Sequence, residues 1–135
     1  MSASKALRAR LIDDATMFGL VGTRIYPGRA PQKPVMPYIV YHRISTVRAA
    51  TLDTGSAKVP EVRIQCDVIA SSQSEVETVL SRMRVVMDGF RGTSSGVTVL
   101  GVSVDDEQDQ PEYIEGSDSV FYHSSLDFSI IYRES

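Results

Sequence analysis

Three stretches of this sequence hold residue types that could do chemistry. Gly92-Thr93-Ser94-Ser95-Gly96 matches the G-x-S-x-G spacing that exposes a nucleophilic serine, and an aspartate followed by His123 lies downstream in the order a hydrolase triad uses. That elbow belongs on a strand-to-helix turn above a parallel sheet. Here a helical pattern precedes the motif and a strand pattern follows it, so the stretch reads as a flexible helix-to-strand turn. Residues 105–118, DDEQDQPEYIEGSD, hold seven carboxylates and no base. Asp105, Glu107 and Asp109 have the alternate spacing of a calcium loop, but Gln110 stands where the turn glycine is needed and Gly116 where a bidentate glutamate closes the shell. A solvated or interface-forming acidic loop is expected instead.

Cys66 is the only cysteine, so no internal disulfide can form, and its place on the inward side of a strand suits a small packed side chain. His42 and His123 lie on different strands with no Cys, Asp or Glu partner at fixed local spacing, which leaves them core-edge or surface roles. Met83 and Met87 fall on the apolar stripe of a helix and read as core filler. Arg24, Arg29, Lys33, Arg43 and Arg48 could touch phosphates. With neither a glycine-rich cradle nor interleaved aromatics, and with a pI near 5.3, pairing with the acidic stretch of a neighbouring copy explains them more economically. No catalytic residue, cofactor site or metal site is expected.

The elements that must position these residues belong to one domain, since 135 residues can bury roughly 70% of the unfolded surface. The 42% apolar and 23% charged shares describe an ordinary globular chain. No apolar run approaches the ~20 residues of a membrane span, the start lacks the apolar core of a signal peptide, and synthesis in a cytoplasm is expected. The net charge of −3 hides a split. Residues 1–50 carry eight Lys/Arg against two acids, about +6, and residues 51–135 carry six against fifteen, about −9. Such a chain offers two complementary surfaces.

Residues 4–17 are predicted to be a helix capped by Ser4, with Ala6, Leu7, Leu11, Ala15 and Phe18 recurring at helical steps, ended by Gly19 and Gly22. Residues 24–26 suffice only for an edge strand before the Pro27-Gly28 turn. A strand from Tyr38 to about Arg48 and a cleanly alternating one from Glu61 to Ala70 form the simplest antiparallel hairpin. Ser72-x-x-Glu75 opens a second helix, with Val76, Val79, Leu80, Met83, Val86, Met87 and Phe90 on one stripe. Residues 97–104 and 120–133 are predicted strands flanking the acidic loop. The order α-β-β-α-β-β predicts an α+β domain, an antiparallel β-sheet with two α-helices packed on one face.

In that order, three N-terminal pieces stand out: the helix Leu7 to Ala15, Val21-Gly22-Thr23-Arg24-Ile25-Tyr26-Pro27 and Pro37-Tyr38-Ile39-Val40-Tyr41. Val62-Arg63-Ile64-Gln65-Cys66-Asp67-Val68, the capped helix and Leu126-Asp127-Phe128-Ser129-Ile130-Ile131-Tyr132 follow. Over nearly its whole length the chain resembles the tail completion or tail terminator proteins of long-tailed phages and prophages. The resemblance implies a structural virion protein, made in the bacterial host, that forms a six-fold ring on the head-proximal end of the tail tube. Such a ring stops tube growth and presents a surface to the head connector, with tube protein, connector and passing DNA as partners. It has no catalytic residues to carry over.

A ring needs a heterologous interface, and a monomer of split charge offers one. Arg24, Arg29, Lys33, Arg43 and Arg48 on one side and Asp105, Asp106, Glu107 and Asp109 on the other are the candidate subunit contacts. The prolines of residues 27–37 would give an extended arm that loses little freedom on docking. Loops 46–59 and 105–118 are expected to face the ring passage, where carboxylates keep DNA from sticking. The competing reading is a small regulatory or ligand-binding domain of the host.

Overall fold

A computed structural model describes residues 3–32, 34–47, 50–51, 55–56, 59–115 and 119–133. The chain opens with two short helices where the periodicity predicts one: α1, Ala3–Asp13, and α2, Ala15–Val21. Ser4 lies inside α1, so it is not a cap. The break falls at Asp14, whose extended backbone (φ −79°, ψ 121°) leaves the helix while its carboxylate accepts a hydrogen bond from the Met17 amide. That is N-cap chemistry, and it restarts the helix along a new axis. Gly22, at φ 60°, then ends α2.

Strand β1, Ile25–Pro27, is the expected edge strand, but it runs parallel to β2, Tyr38–Val47. The sheet is therefore mixed rather than wholly antiparallel. A parallel pair forces the chain to return to its starting end between strands, and residues 28–37 make that return. The basic, proline-rich lead-in thus has a role within the chain. The Arg24 guanidinium donates to the Pro37 and Leu20 carbonyls, the Gly28 amide donates to Tyr41, and the Met36–Pro37 peptide is cis.

β2 pairs antiparallel with β5, Glu61–Ala70, as the alternation predicts, and the connection holds a two-stranded ribbon, β3, Ala50–Thr51, and β4, Gly55–Ser56. Helix α3, Gln73–Met87, starts where the capping signal places it, with the Ser72 hydroxyl accepting from the Glu75 amide. The Glu75 carboxylate reaches back to Ser71 rather than to Ser72. After α3 comes a strand that the sequence does not announce, β6, Gly92–Ser94, joined through Ser95-Gly96 to β7, Val97–Glu115. Both turn residues have positive φ, 51° and 76°, the two-residue hairpin geometry that matches strand twist. β8, Ser119–Arg133, closes the sheet in the order β1-β2-β5-β8-β7-β6.

The largest correction concerns the acidic segment. Residues 105–115 are not a loop: they continue β7, hydrogen-bonded to β8 with register shifts after Val104 and Gln110. Turn-poor acidic residues read as loop because strands disfavour Asp and Glu, but pairing with an already anchored neighbour overrides so weak a preference.

All three helices lie on one face of the sheet, α3 over β5, β8 and β7, and α1 over β2, β6 and β7. Three helices therefore do the work expected of two. Val62, Ile64, Cys66 and Val68 of β5 and Leu126, Phe128 and Ile130 of β8 meet Val76, Val79, Leu80, Met83, Val86 and Met87 of α3 and Leu7 and Leu11 of α1. Arg10 donates to the Val86 carbonyl and lies 4.1 Å from the centre of the Phe90 ring, while Arg8 donates to Ile25, tying α1 to both flanks. Among the described residues no helix is long and apolar enough to cross a membrane.

Candidate functional site

The serine, cysteine and histidines are placed where they cannot cooperate. Ser94 is buried and its hydroxyl donates to the Ala6 carbonyl, 3.0 Å away, so it serves to fasten β6 beneath α1. It lies at the Arg133 end of β8, about 30 Å along the strand from His123 at ~3.3 Å per residue. Cys66 is fully buried, and burial pushes its thiol up, reinforced by Asp67 and Asp127, which leaves it an unreactive packing group. His123 sits with Nε2 3.2 Å from Asp67 Oδ1, outside good hydrogen-bond geometry. Burial raises the Asp67 carboxyl, but His123 beside it and the Gln65 amide that donates to it leave it below the usual range.

What remains is the face of the sheet opposite the helices, and it is polar. Between the apolar positions of β5 and β8 stand Arg63, Gln65 and Asp67 paired with Ser129, Asp127 and Ser125. Ser125, Asp127 and Ser129 are buried nonetheless, sheltered by longer neighbours. Arg63 lies 3.2 Å from Asp127 and 3.9 Å from Asp105, and the Ser129 hydroxyl donates to Asp105. Burial holds the Asp127 carboxyl above its usual range, against the pull of Arg63, and Asp106 and Asp105 push the same way. Asp127 and Asp105 share one guanidinium, with Asp106 close by, an excess of negative charge on β7 and β8.

The sheet order gives the split charge its geometry. Arg24 and Arg29 flank β1, and Arg43 lies exposed on β2, all at one edge; Asp105, Asp106, Glu107 and Asp109 lie on β7, at the other. β5 and β8 intervene, so β2 and β7 are about 14 Å apart at ~4.8 Å per strand. Lys33 and Arg48 fall outside the described residues, and for Asp109 only the backbone pairing with Ser124 is described. Arg24 is engaged with its own chain, as above, and Glu107 pairs with Arg84 of α3. Arg29 and Arg43 are the exposed basic members.

The sequence reading passes over Arg63 and Asp127. Alternation puts Arg63 on the outer side of β5, but only the β5·β8·β7 pairing brings Asp127 and Asp105 to it. Arg82 of α3 grips Asp14 with two hydrogen bonds of 2.8 and 2.6 Å. Nothing local in the sequence signals a partner 68 residues away.

The model of one family, described as tail completion protein gp17, matches residues 5–133. Among solved structures, a chain of a native gene transfer agent virion superposes with a TM-score of 0.77 at 16% identity, covering 98% of this chain and 95% of that one. A second solved structure superposes at 0.54 with 16% identity and 96% of each chain covered. No curated protein matches this sequence.

Proposed function

The chain belongs to the tail completion protein gp17 family and is a structural protein of the phage tail, and from that premise we propose that copies of it join edge to edge into a six-fold ring at the head-proximal end of the tail tube. The ring ends tube polymerisation and offers its other side to the head connector. The observation that supports this reading is the placement of Arg29 and Arg43 at one edge of the sheet and of Asp105, Asp106 and Glu107 at the opposite edge. Opposite charge on opposite sides of one monomer is what a heterologous, repeating contact requires. A fold shared with a chain of a gene transfer agent virion adds to it.

In this reading the helix-free face borders the passage for DNA. Its carboxylates on β7 and β8 repel the phosphate backbone and keep a passing duplex from adhering. The proline-rich segment of residues 27–37 serves as docking arm, losing little freedom when a neighbour covers it. Tails assembled without this protein test the function: tubes of irregular, excessive length that carry no heads are expected, and tubes of normal length joined to heads would overturn it.

A further inference from the structure

Two stretches of sheet edge are left unpaired by any strand among the described residues, and they match. β1 pairs with Ile39, Val40 and Tyr41, and among the described residues no strand covers the outer edge of β2 from His42 to Val47. At the other side β6 pairs with Val97, Thr98 and Val99, the Gly89 amide donates to the Val102 carbonyl, and among the described residues no strand covers β7 from Ser103 on. Reading the registers across β5 and β8, Val47 is level with Gly101, Ser45 with Ser103, and His42 with Asp106. The open stretches therefore stand at the same height.

Their directions also agree. β2, β5, β8 and β7 alternate, each antiparallel to the next, so β2 and β7 run opposite ways. A copy rotated about an axis roughly along the strands keeps that alternation, and its β7 arrives antiparallel to the β2 it meets. Pairing of β2 with the β2 of a second copy is also antiparallel by geometry, but β2 holds no acid to meet Arg43. Against β7, His42 and Arg43 meet Asp105, Asp106 and Glu107. Unpaired edges invite indiscriminate pairing, and each of these has a bulge, at Ile44 and at Asp105, that defeats a flat partner and admits only a matched one.

We infer that neighbouring copies are joined by main-chain hydrogen bonds between His42–Val47 of one and the β7 edge beyond Val102 of the next, so that the sheets run on from copy to copy. This rests on the ring reading and specifies its contact. Disulfide trapping under mild oxidation tests it on the full chain assembled with tube protein. Val47→Cys is combined in turn with Cys at Gly101, Ser103, Asp106 and Gln108, which lie on the same face of the sheet, a series that spans the possible offsets. Gly101 has open space where a Cβ would stand, and Cys66 is buried. Within one copy the strands are about 14 Å apart, beyond the ~7 Å reach of a disulfide. At least one combination is expected to give a ladder of covalent oligomers that neither single variant gives. Rings that form without any such ladder, or that trap through Val47→Cys alone, overturn the inference and leave the ring standing. A chain that stays monomeric with tube protein present removes the ring and this contact together.

Discussion

Asp14 performs two tasks with one carboxylate. It caps α2 through the Met17 amide and holds Arg82 of α3 by two bonds, and the Arg82 hydrogen bonds lower its carboxyl to about 2, from 3.8, with the Met17 amide assisting against burial. A carboxyl lowered by folding contributes stability in full above its ordinary range and loses it as the pH falls through about 4 toward 2. Asp14→Ala removes cap and ion pair and is expected to cost about 1–2 kcal/mol at neutral pH. Asp14→Asn keeps the cap, costs less, and flattens the acid limb. Thermal melts from pH 7 to 2.5 check both: the advantage of the wild type over Asp14→Asn should shrink toward the acid end, while the gap between Asp14→Asn and Asp14→Ala should not change with pH. The capacity to cap is legible in an aspartate ahead of Ala-Thr-Met, but the arginine that shares it comes from another helix.

At the scale of elements, hydrophobic period is the part of the fold most readable from the chain. β5 and α3 stand where alternation and the capping box place them because burial on one face imposes periods of 2 and 3.6 on those residues. β6 and the Ser95-Gly96 turn escape that reading, since a three-residue strand has no period to detect. The turn's demand can be measured. Gly96 sits at φ 76°, so Gly96→Ala is expected to destabilise by about 1–2 kcal/mol, seen as a lower denaturant midpoint with unchanged slope. β7 beyond Val104 is unreadable for the opposite reason. Its carboxylates disfavour a strand, and the pairing that decides the matter is supplied by β8.

For the whole molecule the decisive quantity is where charge sits. If Arg43 of one copy faces the acidic β7 of the next, Arg43→Glu should weaken self-assembly with tube protein by at least tenfold, because like charges across a contact cost several kcal/mol. Combining it with Glu107→Arg, on the same face of the sheet as Arg43, should restore assembly. Sedimentation of the three mixtures reads the result, and a double variant no better than the single one would place the contact elsewhere. Monomer melting temperatures distinguish lost contact from lost fold.

Taken alone, the sequence carried the class of the fold, the main strands and helix, and a basic front joined to an acidic rear. Those follow from composition, period and local capping, each a property of neighbours in the chain. Only the tertiary structure decided that β1 lies parallel to β2, that Asp14 reaches Arg82, that Arg63 gathers Asp127 and Asp105, and that the two charge groups occupy opposite edges. Each of these depends on contacts between residues far apart in sequence, whose pairing is fixed by how the sheet is ordered and not by any local preference.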